Sequence, residues 1–145
     1  MYKRILLPTD GTELCERAFH HGIALAKALG ATVVGVTVTQ PLHSAIPRSM
    51  IPKNLAGTIH NETVKAAQSK LAGVQEAAAA AGLLVECVTK SNDHPWEAII
   101  QTAREKGCDL IVMASHGRRG VSAVVLGSET QKVITHSPVP VLVIR

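Results

Sequence analysis

Apolar and polar positions fall into blocks along the chain, and the period changes from one block to the next. Lys3 to Leu7 is a short apolar run of the kind a strand covered on both faces produces. Leu14, Ala18, Gly22, Leu25 and Leu29 follow at four- and three-residue steps, which predicts an amphipathic helix stopped by Gly30. Thr32 to Thr39 is rich in β-branched residues and predicts a second strand. Val64, Ala67, Leu71, Val74, Ala78 and Ala81 mark a longer helix ending at Gly82, helped at its end by the propensity of alanines 77–81. Leu83 to Thr89 predicts a third strand. Pro95 suits the first turn of a third helix, with Ala98, Ile99 and Ala103 facing in. Asp109 to Met113 predicts a fourth strand, Ser128 to Thr135 a helix with Val133 and Ile134 turned inward, and Val139 to Ile144 a fifth strand.

Strict alternation of this kind implies a doubly wound α/β domain, a five-stranded parallel sheet with helices on both faces and no second domain in residues 1–145. The common strand order for five strands is 3-2-1-4-5, and ligands in such sheets sit beyond the strand carboxyl ends, where the winding reverses. That topology would bring Pro8-Thr9-Asp10-Gly11-Thr12, leaving strand one, against Met113 to Gly117, leaving strand four. Gln40 to Gly57 holds Pro41, Pro47 and Pro52 and has no clear period, so it reads as a long loop that either closes over a ligand or meets a partner.

Composition narrows the function. At 145 residues with 46% hydrophobic content, the chain can bury a core. Phe, Tyr and Trp occur once each, too few for stacking single-stranded nucleic acid, and the net charge of +4 is scattered, so no nucleic-acid partner is expected. Cys15, Cys87 and Cys108 form no C-x-x-C pair and fit a reducing compartment. Met1 to Pro8 lacks the apolar core of a secretory leader, and no run reaches the ~18 residues of a membrane span. The expectation is a cytoplasmic protein with no membrane partner.

The chemistry concentrates between Ala114 and Ser128. An apolar strand, a glycine-bearing loop and a helix start form an arrangement that binds phosphate, because glycine admits close backbone approach and first-turn N–H groups have no helical partner. A Ser at the N-cap would add a hydroxyl. Asp10, the first carboxylate after strand one, can accept from ribose hydroxyls or hold a divalent ion through water; its bland alternative is a helix-capping acid. The reading is a nucleotide-binding protein. Gly117-Arg118-Arg119-Gly120 matches the GXXG loop of KH domains, but that loop joins two helices. Neither G-x-x-x-x-G-K-[ST] nor G-x-G-x-x-G occurs. Arg118 and Arg119 are either phosphate donors or solvated side chains. His116 reads as a loop-shaping residue rather than a general base, since no nucleophile accompanies it. Cys15, near a helix start, is either an activated thiol or a buried inert one. Trp96 would pack under the third helix.

With those residues in view, the whole chain resembles the universal stress protein family. Its ATP-binding members carry G-x-x-G, nine residues, then G-[ST]; here the run is Ala114-Ser115-His116-Gly117, nine residues, then Gly127-Ser128. Pro8-Thr9-Asp10 and the Val-Pro-Val-Leu-Val-Ile ending at 139–144 match as well. The resemblance implies an adenine nucleotide α-hydrolase-like fold and an adenine nucleotide, ATP with ADP or AMP as alternatives, bound with Mg2+ or Mn2+. Asp10 would sit by adenine and ribose with Pro8 and Thr9 as its wall, and Val38 and Met113 would line the base pocket. Ala114 and Gly117 would approach ribose and phosphates. The Gly127 N–H with Ser128, Glu129 and Thr130 would hold the phosphate tail. Ala114 departs from the motif's first glycine and matters only where that position needs φ > 0 or sub-methyl clearance. No catalytic residue is assigned, because phosphoryl transfer needs a cationic clamp and an oriented nucleophile that the chain does not offer. A regulatory nucleotide-binding module is the first reading. A nucleotide-free dimeric stress protein and a slow ATP hydrolase are the alternatives. The resemblance also implies a homodimer through the terminal strand 139–144, an apolar edge that would otherwise be exposed.

Overall fold

The computed structural model describes residues 1–117 and 125–145. Five strands form one parallel sheet: β1 (Arg4–Pro8), β2 (Thr32–Thr39), β3 (Val85–Ser91), β4 (Leu110–Ala114) and β5 (Val141–Ile144), in the order β3-β2-β1-β4-β5. The helices are α1 (Glu13–Leu29), α2 (Leu42–Ala45), α3 (Lys53–Ala80), α4 (Pro95–Glu105) and α5 (Ser128–His136). Successive strand residues point to opposite faces, so each buried strand feeds two cores. Ile5, Leu7, Val33, Leu110 and Val112 pack beneath Phe19, Ile23 and Ala26 of α1 and Val74 and Ala78 of α3. Leu6, Val34, Val36, Ile111 and Met113 pack beneath Ile99 and Ala103 of α4 and Val133 of α5. This is the doubly wound sheet that the alternating blocks predict.

Helix ends follow local chemistry. Thr12 caps α1 by accepting from the Cys15 amide, and Gly30 closes that helix in the left-handed region at φ 63°. Pro95 opens α4, as its fixed φ and missing donor favour.

Six expectations require correction. The segment 40–57 is not an unstructured loop. It holds α2, a 3-10 turn at Arg48–Met50 and, from Lys53 onward, the first turns of α3. That part of α3 presents a mostly exposed surface, and its buried stripe starts only at Ala67 and continues through Leu71, Val74 and Ala78. Without a buried face there is no apolar period to read, so Val64, at 39% exposure, lies outside the stripe expected of it. The α1 stripe is likewise displaced: Cys15, Phe19, Ile23 and Ala26 join Ala18 and Gly22, whereas Leu14, Leu25 and Leu29 lie at its margin. Ile134 is 43% exposed, and Val133 alone of that pair enters the core. β5 begins at Val141 rather than Val139, because the Ser137 side chain accepts from the Val139 amide and donates to its carbonyl, tying residues 137–139 into a turn. β3 starts at Val85, leaving Leu84 91% exposed. Among the described residues, no helix is long and apolar enough to cross a membrane.

Candidate functional site

The turn after β1 is built around Asp10. Thr9 is buried and donates its amide to the Val36 carbonyl, which fixes the chain to β2 as it leaves the sheet. Gly11 then takes φ 82°, a left-handed conformation that a side chain would strain. Asp10 Oδ1 accepts from the Thr12 amide at 3.0 Å and from the Thr12 hydroxyl at 2.6 Å. Thr12, not Asp10, is therefore the helix cap; Asp10 positions the cap and turns its other oxygen toward Gly117.

The turn after β4 meets it there. A Cβ on Gly117 would lie 2.5 Å from Asp10 Oδ2, so glycine at 117 lets the two loops close against each other. A Cβ on Gly127 would lie 3.1 Å from the His116 Cα, which explains the second glycine in the same way. Neither has positive φ, so close approach is what both positions require. Ala114 is a buried strand residue with negative φ, and its methyl packs with Cys15 and Ala18. The motif's departure from glycine is thus accommodated.

Two details of the phosphate-side expectation change. The Gly127 N–H donates to the Ser115 carbonyl at 2.8 Å, so it is spent on closing the loop. Ser128 is not the cap but the first residue of α5; Gly127 is the cap and makes no side-chain hydrogen bond. The first helical bond runs from the Gln131 amide to the Gly127 carbonyl. The amides of Ser128, Glu129 and Thr130 consequently have no acceptor within the helix, at its positive end. The Thr130 hydroxyl is buried and donates to the Ala114 carbonyl at 3.0 Å, which ties α5 to β4. Glu129 accepts from the Trp96 amide at 2.9 Å and pairs with Lys132 at 3.3 Å, so its carboxylate joins α5 to the start of α4.

Between these loops lies a cleft of about 430 Å³, within the range of small-molecule sites. All eleven residues expected to bind nucleotide line it: Pro8, Thr9, Asp10, Val38, Met113, Ala114, Gly117, Gly127, Ser128, Glu129 and Thr130. Val36, Val38, Ile99, Pro95 and Met113 supply an apolar lining. Gln40, Lys70, Asp93 and His116 also line it and were not among the expected contacts. The sequence held an unread signal for two residues: Val36 shares a strand face with Val38 two residues on, and Asp93 is a carboxylate just beyond a strand end. Lys70 carries no local signal, because only the packing of α3 brings it here. From segment 40–57, Gln40 reaches this cleft, and Pro41, Leu42, Arg48, Ile51, Lys53 and Ala56 border a neighbouring groove.

The remaining candidates resolve simply. Ser115 Oγ lies 3.2 Å from His116 Nδ1, a local contact that fits the loop-shaping reading. Cys15 is 7% exposed, and burial pushes its thiol up to about 11, so it is protonated and inert near neutral pH. Trp96 packs against the α4 core and lies 4.8 Å, centroid to centroid, from the His136 ring. Arg118, Arg119 and Gly120 lie outside the described residues. Among the described residues no group of three or more His, Cys, Asp or Glu is arranged to hold a metal ion.

Fold and cleft together define the class: a doubly wound α/β domain with its pocket at the switch point between β1 and β4. The sequence matches the universal stress protein family over residues 1–145, and the chain belongs to that family. It is 34% identical over 146 residues to a universal stress protein of Thermus aquaticus, named for its place in the QAH/OAS sulfhydrylase 3' region, with all of both chains covered. The solved structure of MJ0577, from Methanocaldococcus jannaschii, superimposes with a TM-score of 0.83 at 29% identity, covering 99% of this chain and 96% of that one. A universal stress protein from Archaeoglobus fulgidus in complex with dAMP has the same fold, with a TM-score of 0.72 at 18% identity and coverage of 99% and 98%.

Proposed function

We propose that residues 1–145 form a single cytoplasmic module that binds ATP in the cleft between β1 and β4 and responds to its occupancy as a regulatory or stress-resistance protein. The observation that carries this reading is the lining of the cleft. An apolar floor suited to a purine shares the cleft with the Asp10 carboxylate, an acceptor for ribose hydroxyls. Beyond it lie three α5 amides, from Ser128, Glu129 and Thr130, without helical acceptors. The dAMP held by the Archaeoglobus fulgidus relative is consistent with an adenine nucleotide. A divalent ion, Mg2+ or Mn2+, would be held mainly by phosphate oxygens and water, with few protein ligands, as Mg2+ commonly is. The three amides then stabilise bound phosphate without positioning an attacking water, which favours binding over turnover.

The test is calorimetric titration of nucleotide-stripped protein with ATP and magnesium. Saturation near one nucleotide per chain is expected, lost in Gly127→Val, whose side chain would collide with His116. Absence of heat at ~1 mM ATP, where any affinity beyond about −4 kcal/mol would register, refutes the reading.

Homodimerisation through β5 belongs to the same proposal. β5 is a sheet-edge strand, and Leu142 is 41% exposed on it. Pairing with a second copy would cover that edge. Leu142→Asp is expected to sediment as a monomer where the unmodified chain sediments as a dimer; a dimer that persists in the variant removes β5 as the interface.

A further inference from the structure

We infer that Lys70, on the middle of α3, is a nucleotide-contact residue that makes the cleft prefer charged adenine nucleotides over the uncharged nucleoside. The inference rests on the nucleotide-binding reading above and adds to it a residue from an element that the motif does not include. Three carboxylates line the cleft: Asp10, Asp93 and Glu129. Lys70 is the one lysine or arginine among the described lining residues. A polyphosphate entering such a site meets acidic walls, and the cleft needs a fixed positive charge if it is to favour the anion.

Lys70 is built into that position. Its Cγ lies 2.9 Å from where a Cβ on Gly11 would stand, so the stem crosses the left-handed turn directly after Asp10. The side chain is half-buried: its aliphatic stem rests on the turn, and the residue lines the cleft. Glycine at 11 thus serves two ends: it permits φ 82° and it leaves room for the lysine stem. Lys65, five residues earlier on the same helix, is 73% exposed, pairs with Glu62 and does not line the cleft. It is an internal control for a change in net charge.

The experiment compares adenosine, AMP and ATP as titrants of the 145-residue chain, each in EDTA and again with magnesium. In the unmodified chain, affinity is expected to rise with phosphate number. Lys70→Met should lose about tenfold on ATP, with a smaller loss on AMP. Adenosine affinity should stay unchanged, Lys70→Arg should retain most of the ATP preference, and Lys65→Met should change nothing. Equal losses for all three ligands would make Lys70 a packing post for the Gly11 turn and overturn the inference, as would an unchanged ATP affinity. If the unmodified chain takes up none of the three, the nucleotide reading itself falls and this inference falls with it. A chain that binds all three, with Lys70→Met indistinguishable, removes Lys70 alone.

Discussion

Gly117→Val is expected to lower ATP affinity by about 10- to 100-fold, the span of a lost charge-assisted hydrogen bond of ~1.5–3 kcal/mol, while barely changing thermal stability. The effect runs through Asp10. A Cβ at position 117 lands 2.5 Å from Oδ2, and the carboxylate has little room to yield because Oδ1 is held by the Thr12 amide and hydroxyl. Moving Asp10 displaces the group that would face the ribose. The fold has no comparable stake, since Gly117 is exposed and its φ is negative. A double-mutant cycle isolates the route: once Asp10→Ala is in place, Gly117→Val should add little, because both changes remove the same contact. Titration calorimetry with thermal unfolding as a control reads it. Fully additive losses would mean that Gly117 acts through its own approach to the ligand rather than through Asp10.

The largest effect on stability is expected at Leu7. It is fully buried in the core between α1 and the sheet, and Leu7→Ala should destabilise the protein by about 2–5 kcal/mol, a drop on the order of 10 °C in Tm. The neighbouring helix supplies a rescue. A Cβ on Gly22 would stand 2.3 Å from Leu7 Cδ2, so α1 lies against β1 only because position 22 has no side chain. Gly22→Ala alone should therefore cost about 1–3 kcal/mol through overpacking. In the Leu7→Ala background the same methyl enters vacated space and gains the helix propensity of alanine over glycine, roughly 1 kcal/mol. Denaturant unfolding should show Gly22→Ala switching from destabilising to stabilising between the two backgrounds. If it destabilises both equally, the Leu7–Gly22 contact does not set the helix-to-sheet spacing.

What the sequence made legible follows from where burial imposes a period. β2 was readable to the residue, because Thr32–Thr39 runs between β1 and β3, with Val33 to Val36 paired on both sides. Pro95 announced its helix through its own backbone chemistry. Where an element carries no buried face, the pattern was silent. The first half of α3 is a surface helix; its start at residues 53–57 reads as loop, and its buried stripe begins only at Ala67. At the site, the Asp10 turn and the Gly117 turn were legible as a pair, since strand order alone brings the ends of β1 and β4 together. The individual hydrogen bonds were not. That the Gly127 amide would donate to the Ser115 carbonyl, and the Glu129 carboxylate accept from the Trp96 amide, depends on how tightly α5 docks on its neighbours. Lys70 and Asp93 were missed for a related reason, being brought to the cleft from α3 and the end of β3 rather than from the motif.

The most direct test of the central claim is a residue-resolved amide NMR titration of the 15N-labelled chain with ATP and magnesium. Shifts should concentrate at residues 9–12, 36–38, 113–117 and 127–130, with the Ser128, Glu129 and Thr130 amides among the most strongly moved and the β3 edge quiet. Shifts centred anywhere else, or none at millimolar ATP, would contradict that claim.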